Sequence, residues 1–417
     1  MSVQSSPATT PRRVLALDAA DPHAHRRSAF QLDDDVVYMD GNSLGPLPLG
    51  ARARIRQVVD SEWGRDLIRS WNANDWINLP RRVGDRIAEL IGAAPGQVVA
   101  GDSTSVCLFK LAAAAVQAQR GRSRVVTDTT NFPTDLYGLD GLARLDPAIE
   151  VVRVPPETVL DAVDRETSLL VLSHIDYRSG AMRDLRAVTA AAHACGALTL
   201  WDLSHSVGAV PVALDADGAD LAVGCTYKYL NGGPGAPAFA YIAARLHESM
   251  PPALRGWMGH RAPFALDDAF APAAGARRYS CGTPEVLGLS VLDAALDVFA
   301  GVDMGTLRDK AVRMSELFIE LVEEPCHEHG LALVSPRDPG LRGSHVALEH
   351  RHAYPIMQAL IARGVIGDFR APNLLRFGFA PLYQSYADVW RAAQSLRDVL
   401  MSRAWDDESF KRVAFVT

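Results

Sequence analysis

Between residues 97 and 242 the chain repeats one pattern: a short apolar run, a turn or loop, a helical stretch, then another apolar run. The runs fall at 97–100, 123–127, 169–172, 198–201, 221–223 and 238–242. They are apolar at successive positions rather than alternate ones, so both faces of each strand must be covered. Strand, helix and strand in succession lead to a mainly parallel sheet with helices packed on both faces. Helices are predicted over 106–119 and 185–195, the second stopped by Gly196. Another is predicted over 81–92, where Val83, Ile87, Leu90 and Ile91 fall at i, i+4, i+7 and i+8.

The pattern changes towards the C-terminus. An apolar helix over 286–300 ends at Gly301 and Val302, and a second helix is expected over 307–321. Beyond it lie predicted strands at 346–348 and 374–379, with a helix over 353–363 closed by Gly364. This is a smaller α+β unit, and the boundary is set near 302–306. At the other end, residues 1–28 are polar and rich in Arg, His and Pro and are expected to form a loose arm. A short strand at 36–40 follows, running into the turn-rich loop Gly41-Asn42-Ser43-Leu44-Gly45-Pro46. The division is therefore 1–45 as N-terminal arm and part of the small domain, 46–302 as the large domain, and 303–417 as the small domain. A length of 417 residues suits two lobes, at about 100–200 residues per domain.

A net charge of −7 argues against nucleic acid or an anionic membrane as partner. No uninterrupted apolar run approaches the roughly 18–20 residues of a membrane helix, and the first residues lack the features of a secretory signal. Cys107, Cys195, Cys225, Cys281 and Cys326 are scattered and never form a CxxC pair. They read as reduced thiols in a cytoplasmic protein, not as a disulfide frame or a zinc site.

The 42 basic residues include only four lysines, at 110, 228, 310 and 411. A lysine amine can lose its proton and condense with an aldehyde, which a guanidinium does not do. Lys228 stands out because Tyr227 and Tyr229 flank it. Upstream is the apolar run Leu200-Trp201 ending in Asp202 and, three positions on, His205; downstream is the glycine-rich 231–235. Strand, Asp, His and an aromatic-flanked Lys is the layout expected where pyridoxal 5′-phosphate is held as a Schiff base. Asp202 would pair with a protonated pyridine nitrogen and preserve the ring as an electron sink; the alternative is a helix N-cap. His205 would pack on the ring or hold Asp202, and Tyr227 offers a phenol to hold phosphate or move a proton.

Other segments add to this. Gly101–Ser105 precedes a helix, where hydroxyls and free N–H groups make an anion site or a plain N-cap. No GxGxxG or GxxxxGK[ST] fingerprint is present. Asn131–Asp135 reads as a loop whose Phe132 either stacks on a cofactor or anchors the loop. Trp257 is bracketed by Gly256 and Gly259. Thr283 precedes the helix at 286 and reads as a second anion-binding cap. Arg376, in the apolar strand around Leu375 and Phe377, calls for a bidentate carboxylate; on an exposed sheet edge it would be merely solvated.

Together these segments resemble kynureninase, a family of fold type I pyridoxal-phosphate enzymes. The resemblance runs from Asp40-Gly41-Asn42-Ser43-Leu44-Gly45 to Arg376 and Pro381-Leu382-Tyr383. Its most specific pieces are that loop, Phe132-Pro133-Thr134-Asp135, residues 173–180, and Trp201–Ser206 with Tyr227–Leu230. It implies an α/β transferase-like fold: a large domain with a mainly parallel seven-stranded sheet, and a smaller α+β C-terminal domain. It implies that Lys228 carries the cofactor, that Asp202 pairs with the pyridine nitrogen, and that His205, Tyr227 and Ser173 contact the group. Thr104 and Ser105 would hold phosphate, Phe132 would stack on the ring, and Asp135 would be a second carboxylate nearby. Trp257 and Thr283 would reach the phosphate from a neighbouring subunit, which implies a homodimer. Arg376 would bind the α-carboxylate, with Ser43 and Trp71 near the substrate's aryl side. The implied reaction is hydrolytic cleavage of the Cβ–Cγ bond of L-kynurenine, and of 3-hydroxykynurenine as a candidate second substrate, to anthranilate and L-alanine. Lys228, Tyr227 and Asp202 would be the catalytic residues. Thr134 departs from the Ser common in that loop. Alternatives of other kinds are a related desulfurase or aminotransferase and a non-catalytic pyridoxal-phosphate-binding regulator. A desulfurase requires a catalytic Cys on a flexible loop, and neither Cys281 nor Cys326 lies in an obvious one.

Overall fold

The structure, a computed structural model, describes residues 10–412. Its centre is a seven-stranded sheet made of β2 (Val98–Ala100), β3 (Arg124–Asp128), β4 (Glu150–Val154), β5 (Thr167–Ser173), β6 (Leu198–Asp202), β7 (Leu221–Gly224) and β8 (Phe239–Ile242). The spatial order is β2-β8-β7-β6-β5-β3-β4. Only β8 runs antiparallel to its neighbours; the other adjacent pairs are parallel. β6, β7 and β8 are buried at every position, as unbroken apolar runs require.

Helices cover both faces. The sheet face of α5 (Thr104–Ala118) packs with Val125, Leu169, Leu200 and Leu221 in one core. On the opposite face α4 (Leu79–Leu90) and α7 (Leu185–Ala194) pack with Val126, Leu170 and Trp201. In α4, Leu79, Val83 and Ile87 are fully buried, and each such side chain contributes about 1.5–3 kcal/mol relative to exposure. Gly84 permits the close approach of α4 to β2: a Cβ there would stand 2.3 Å from the carbonyl oxygen of Val98. The remaining helices of this half are α2 (Leu49–Gln57), continuing into a π-helical stretch over Val58–Asp66, the short α3 (Ser70–Ala73), α6 (Pro133–Leu145) and α8 (Val286–Ala295).

A second core lies between α9 (Met304–His327), α10 (Ala353–Ile361), α11 (Tyr386–Met401) and an antiparallel sheet. That sheet contains β9 (Ala332–Leu333), β10 (His345–Glu349), β12 (Asp368–Arg370) and β13 (Leu374–Gly378), ordered β12-β13-β10-β9. The N-terminal segment joins this half, since β1 (Val37–Tyr38) pairs in parallel with β11 (Val365–Ile366).

Several expectations need correction. The loose arm over 1–28 is not what residues 10–28 form; residues 1–9 lie outside the described residues. Residues 12–19 form helix α1 (Arg12–Ala19), which buries Val14 and carries Asp18. The Asp18 carboxylate accepts the N–H groups of Tyr386 and Ala387 at the start of α11. The loop at 131–135 is a helix start from Pro133 onward. Strand β4, missed entirely, is the sheet's edge and carries the exposed Glu150 and Arg153 among its apolar residues. The strand expected over 36–40 shortens to two residues.

Candidate active site

The parallel strands end at one rim of the sheet, where ligands of such sheets bind. Ser173 and Asp202 are register partners at the ends of β5 and β6, and the segment after β7 brings in Tyr227 and Lys228. A cleft of about 420 Å³ opens there, bordered by Thr104, Ser105, Phe132, Asp135, Ser173, Asp202, His205, Tyr227 and Lys228. Nine residues singled out in the sequence thus converge on one space.

Lys228 differs from the other lysines in its partner. Lys110 is buried in an ion pair with Asp102 (2.5 Å), Lys310 is buried against Asp21 (2.7 Å), and Lys411 pairs with Asp406 at the surface. The Nζ of Lys228 instead lies 2.9 Å from His205 Nε2 and 6.0 Å from the centre of the Phe132 ring. Burial, and then the charge of Lys228, push the His205 imidazole well below its usual pKa. A neutral His205 can therefore accept from the amine.

Two carboxyl groups share the floor. One oxygen of Asp202 accepts the backbone N–H of Ser204 at 2.8 Å, so the carboxylate caps the turn after β6 rather than a helix. Asp135, in the first turn of α6, is buried with Oδ2 unpartnered. Burial, and then the nearby Asp202, raise its pKa well above the ordinary carboxylate range. A buried carboxyl beside a second acid is held in its neutral form, and Asp135 is such a group. Burial and then Cys225 raise the phenol of Tyr227, keeping it a neutral donor.

At the wall, Ser103 is the N-cap of α5, its Oγ accepting the N–H of Val106 at 3.4 Å. Thr104 and Ser105 occupy the first turn, where N–H groups have no intrahelical acceptors and the helix dipole favours an anion. Phe132 stands edge-on to Tyr177 (5.1 Å) and is partly exposed over the cleft. The Ser173 hydroxyl donates to Asn131 Oδ1 at 2.5 Å.

Arg376 lies on β13, which is paired on both sides, so the exposed-edge alternative is wrong. The guanidinium is buried. Its Nε donates to Asp368 Oδ1 at 2.7 Å, and Nη2 completes a bidentate pair with Oδ2. Nη1 donates to the Tyr177 carbonyl, and Ser43 Oγ sits 3.3 Å from Nη2. The Nη1/Nη2 edge is therefore the one turned away from Asp368. Ser43 also donates to Asp368 at 2.5 Å, and Arg370 pairs with the same carboxylate at 2.9 Å. Asp368 was missed in the sequence because a lone Asp in a short strand carries no signal. Asp40, read as the end of a strand and the start of the Asp40–Gly45 loop, faces the same group.

Three singled-out residues lie elsewhere. Trp71 packs edge-on against Trp76 at 5.9 Å, and Trp257 against Phe264 at 5.4 Å. Thr283 borders a second cavity of about 190 Å³ that shares Asp102 and Glu285 with the Lys228 cleft. Thr283 does not cap the helix at 286: Glu285 holds that position, with no side-chain hydrogen bond.

Comparison with known proteins places these residues in context. Residues 307–396 match the kynureninase C-terminal domain family. A kynureninase of Pseudomonas fluorescens is 48% identical over 409 residues, covering 97% of this chain and 98% of that protein. A kynureninase of Burkholderia pseudomallei is 50% identical over 414 residues, covering 98% and 100%. Among solved structures, a cysteine desulfurase of Escherichia coli superposes with a TM-score of 0.75 at 19% identity, covering 91% of this chain and 98% of that one. A variant of C-DES with glycine covalently linked to its pyridoxal phosphate superposes with a TM-score of 0.78 at 15% identity, covering 89% and 99%. Both have the same fold, that of fold type I enzymes.

Proposed function

The chain belongs to the kynureninase family, and from that premise we propose how its residues divide the work of cleaving the Cβ–Cγ bond of L-kynurenine. The reaction is hydrolytic, releases anthranilate and L-alanine, and uses pyridoxal 5′-phosphate. The near-full-length identity to kynureninases carries this reading, and it is favoured over the desulfurase and regulator alternatives.

The residues lining the cleft fit that cofactor. They offer an amine with no carboxylate partner, a carboxylate at a strand end, a helix start for phosphate, and an aromatic ring on one wall. Two buried polar atoms there, Asp135 Oδ2 and His205 Nδ1, have no partner within the protein. When bound, the cofactor supplies an electron sink for bonds broken next to the substrate's amino group.

Lys228 holds the cofactor and afterwards, as a free amine, takes the proton from substrate Cα. His205 accepts from that amine and fixes where it points. Asp202 would keep the pyridine nitrogen protonated, and the neutral carboxyl of Asp135 shares the cleft with it. Thr104 and Ser105 would bind the phosphate, Phe132 would cover the ring, and Ser173 would contact the group from the end of β5. Tyr227 passes a proton during water addition to the aryl ketone and release of the alanine carbon. Arg376 receives the α-carboxylate on its Nη1/Nη2 edge, in place of the Tyr177 carbonyl, and so aligns the Cα–H bond. Ser43 and Trp71 serve the aryl side, although Trp71 lies outside the cleft of its own chain. Trp257 and Thr283 are assigned to the cleft of a second subunit, which makes the working form a homodimer. The enzyme is assigned to the cytoplasm, in keeping with its five unpaired cysteines; no helix among the described residues is long and apolar enough to cross a membrane. Anthranilate fluorescence released from kynurenine, with cysteine and keto-acid controls, tests the activity. Kynurenine cleavage surviving Lys228→Ala would overturn the assignment of that residue.

A further inference from the structure

The Arg376 cluster contains more negative charge than its task requires. Two guanidinium groups, Arg376 and Arg370, face two carboxyl groups, Asp368 and Asp40. Asp368 is held from three sides, by Arg376, Arg370 and Ser43. Asp40 has no guanidinium bonded to it: only Ser43 hydrogen-bonds to its side chain, and its Oδ1 is buried without a partner. Around it stand Ser43 from its own loop, Asp368 and Arg370 from β12, Arg376 from β13, and the phenols of Tyr38, Tyr229 and Tyr383. The Tyr383 hydroxyl is likewise buried without a partner.

With both acids ionised the cluster is neutral. A substrate carboxylate arriving at Arg376, the role assigned above and on which this inference rests, would leave a buried net negative charge. Uncompensated buried charge is strongly disfavoured, and the group nearest to neutrality gives way by taking up a proton. Asp368, paired twice with guanidinium, is the poorer acceptor. We propose that Asp40 takes up a proton from solvent when the substrate's α-carboxylate binds Arg376, making it a positioning residue that couples substrate binding to pH. The free enzyme is poised for this, because burial and then Asp368 raise Asp40 to about 7.

The sign follows directly. Below that value Asp40 already carries its proton and substrate binds without repulsion. Above it, each bound carboxylate must be accompanied by a proton, so KM for kynurenine rises with pH, by up to tenfold per unit. For a group at about 7, the rise between pH 6 and pH 8 is about tenfold. The experiment uses the holoenzyme and two comparisons. Asp40→Asn, isosteric and fixed in the neutral form, should remove this rise, so that the ratio of wild-type to variant KM climbs about tenfold from pH 6 to 8. Should the variant fail to fold, the wild type alone serves. The amine that corresponds to kynurenine without its carboxylate, used as a competitive inhibitor, should have a Ki lacking the additional rise that KM shows. A wild-type KM and amine Ki that move in parallel with pH, while kynurenine still binds more tightly than the amine at pH 6, would overturn the proposal alone. An amine that binds as tightly as kynurenine at pH 6 would overturn the carboxylate role of Arg376 and the proposal with it.

Discussion

Asp368→Ala should be among the most damaging single changes outside the Lys228 cleft, for a reason that can be worked through. The carboxylate is 2% exposed and its Arg376 partner 1%. It receives two hydrogen bonds from Arg376, one from Ser43 at 2.5 Å and an ion pair from Arg370 at 2.9 Å. Despite its burial, Arg376 leads in holding its pKa at about 2. The ordinary value is about 3.8, and a gap of nearly two units corresponds to about 2.4 kcal/mol of charge-linked stability. Truncation also strands a buried guanidinium, which brings the total to about 3–5 kcal/mol. Arg370 remains as a second cation near that site and gains nothing from the loss. Urea unfolding of wild type and variant at pH 7, followed by circular dichroism, measures the difference. The folded-state value is depressed, so the contribution is complete above about pH 3.8 and is lost as pH falls through about 2. The gap between the two proteins should therefore narrow by about 2.4 kcal/mol across that window. A loss under about 1 kcal/mol at pH 7, or a gap that ignores pH, would refute the reasoning. Replacing the pair together, as Asp368→Leu with Arg376→Met, should recover much of the stability while abolishing tight kynurenine binding.

Other consequences can be measured alongside. Asp40 has the opposite sign: its folded value is raised, so ionising it opposes folding, and wild-type stability falls as pH rises from about 3.8 to about 7. Asp40→Asn should gain on the wild type by on the order of a few kcal/mol between pH 4 and pH 8, read as diverging urea midpoints. Lys228→Ala should release no anthranilate and lose the visible absorbance of bound pyridoxal phosphate, with unfolding changed by no more than about 1 kcal/mol. Gly45→Ala would put a Cβ 2.4 Å from the Lys228 carbonyl oxygen and 2.3 Å from Asn231 Oδ1. A displacement approaching 1 Å in that segment should lower kcat/KM by about a hundredfold, and near-normal steady-state kinetics would count against it. Ser385→Ala removes the capping box of α11 and should cost about 1 kcal/mol in the same unfolding assay.

The doubly apolar strands were legible because burial on two faces leaves a composition that no surface segment shares. β6, β7 and β8 lie close to where the sequence puts them. β4 was not, because an edge strand keeps Glu150 and Arg153 in solvent. Helix α6 was hidden by Gly138 and Gly141, residues that argue against a helix interior, and α1 by the polar segments on either side of it. In the cleft, Lys228, Asp202 and His205 could be read because each departs from its local background. Asp368 could not, and Asp40 was legible only as the first residue of the Asp40–Gly45 loop. Their importance comes from burial against guanidinium groups contributed by β12 and β13, and no local pattern encodes that meeting.

The parallel pairing of β1 with β11 joins Val37 to Val365, and the loop that follows β1 delivers Ser43 to Arg376. On a ribosome adding about 5–20 residues per second, about 330 residues separate the two halves of this contact. The first strand therefore waits on the order of a minute or less with its ladder unmade, while the seven-stranded sheet between them can already close. The carboxylate-binding role proposed for Arg376 becomes available only after the last strands emerge. A nascent chain truncated before β11 would carry every residue that lines the Lys228 cleft and still lack Arg376.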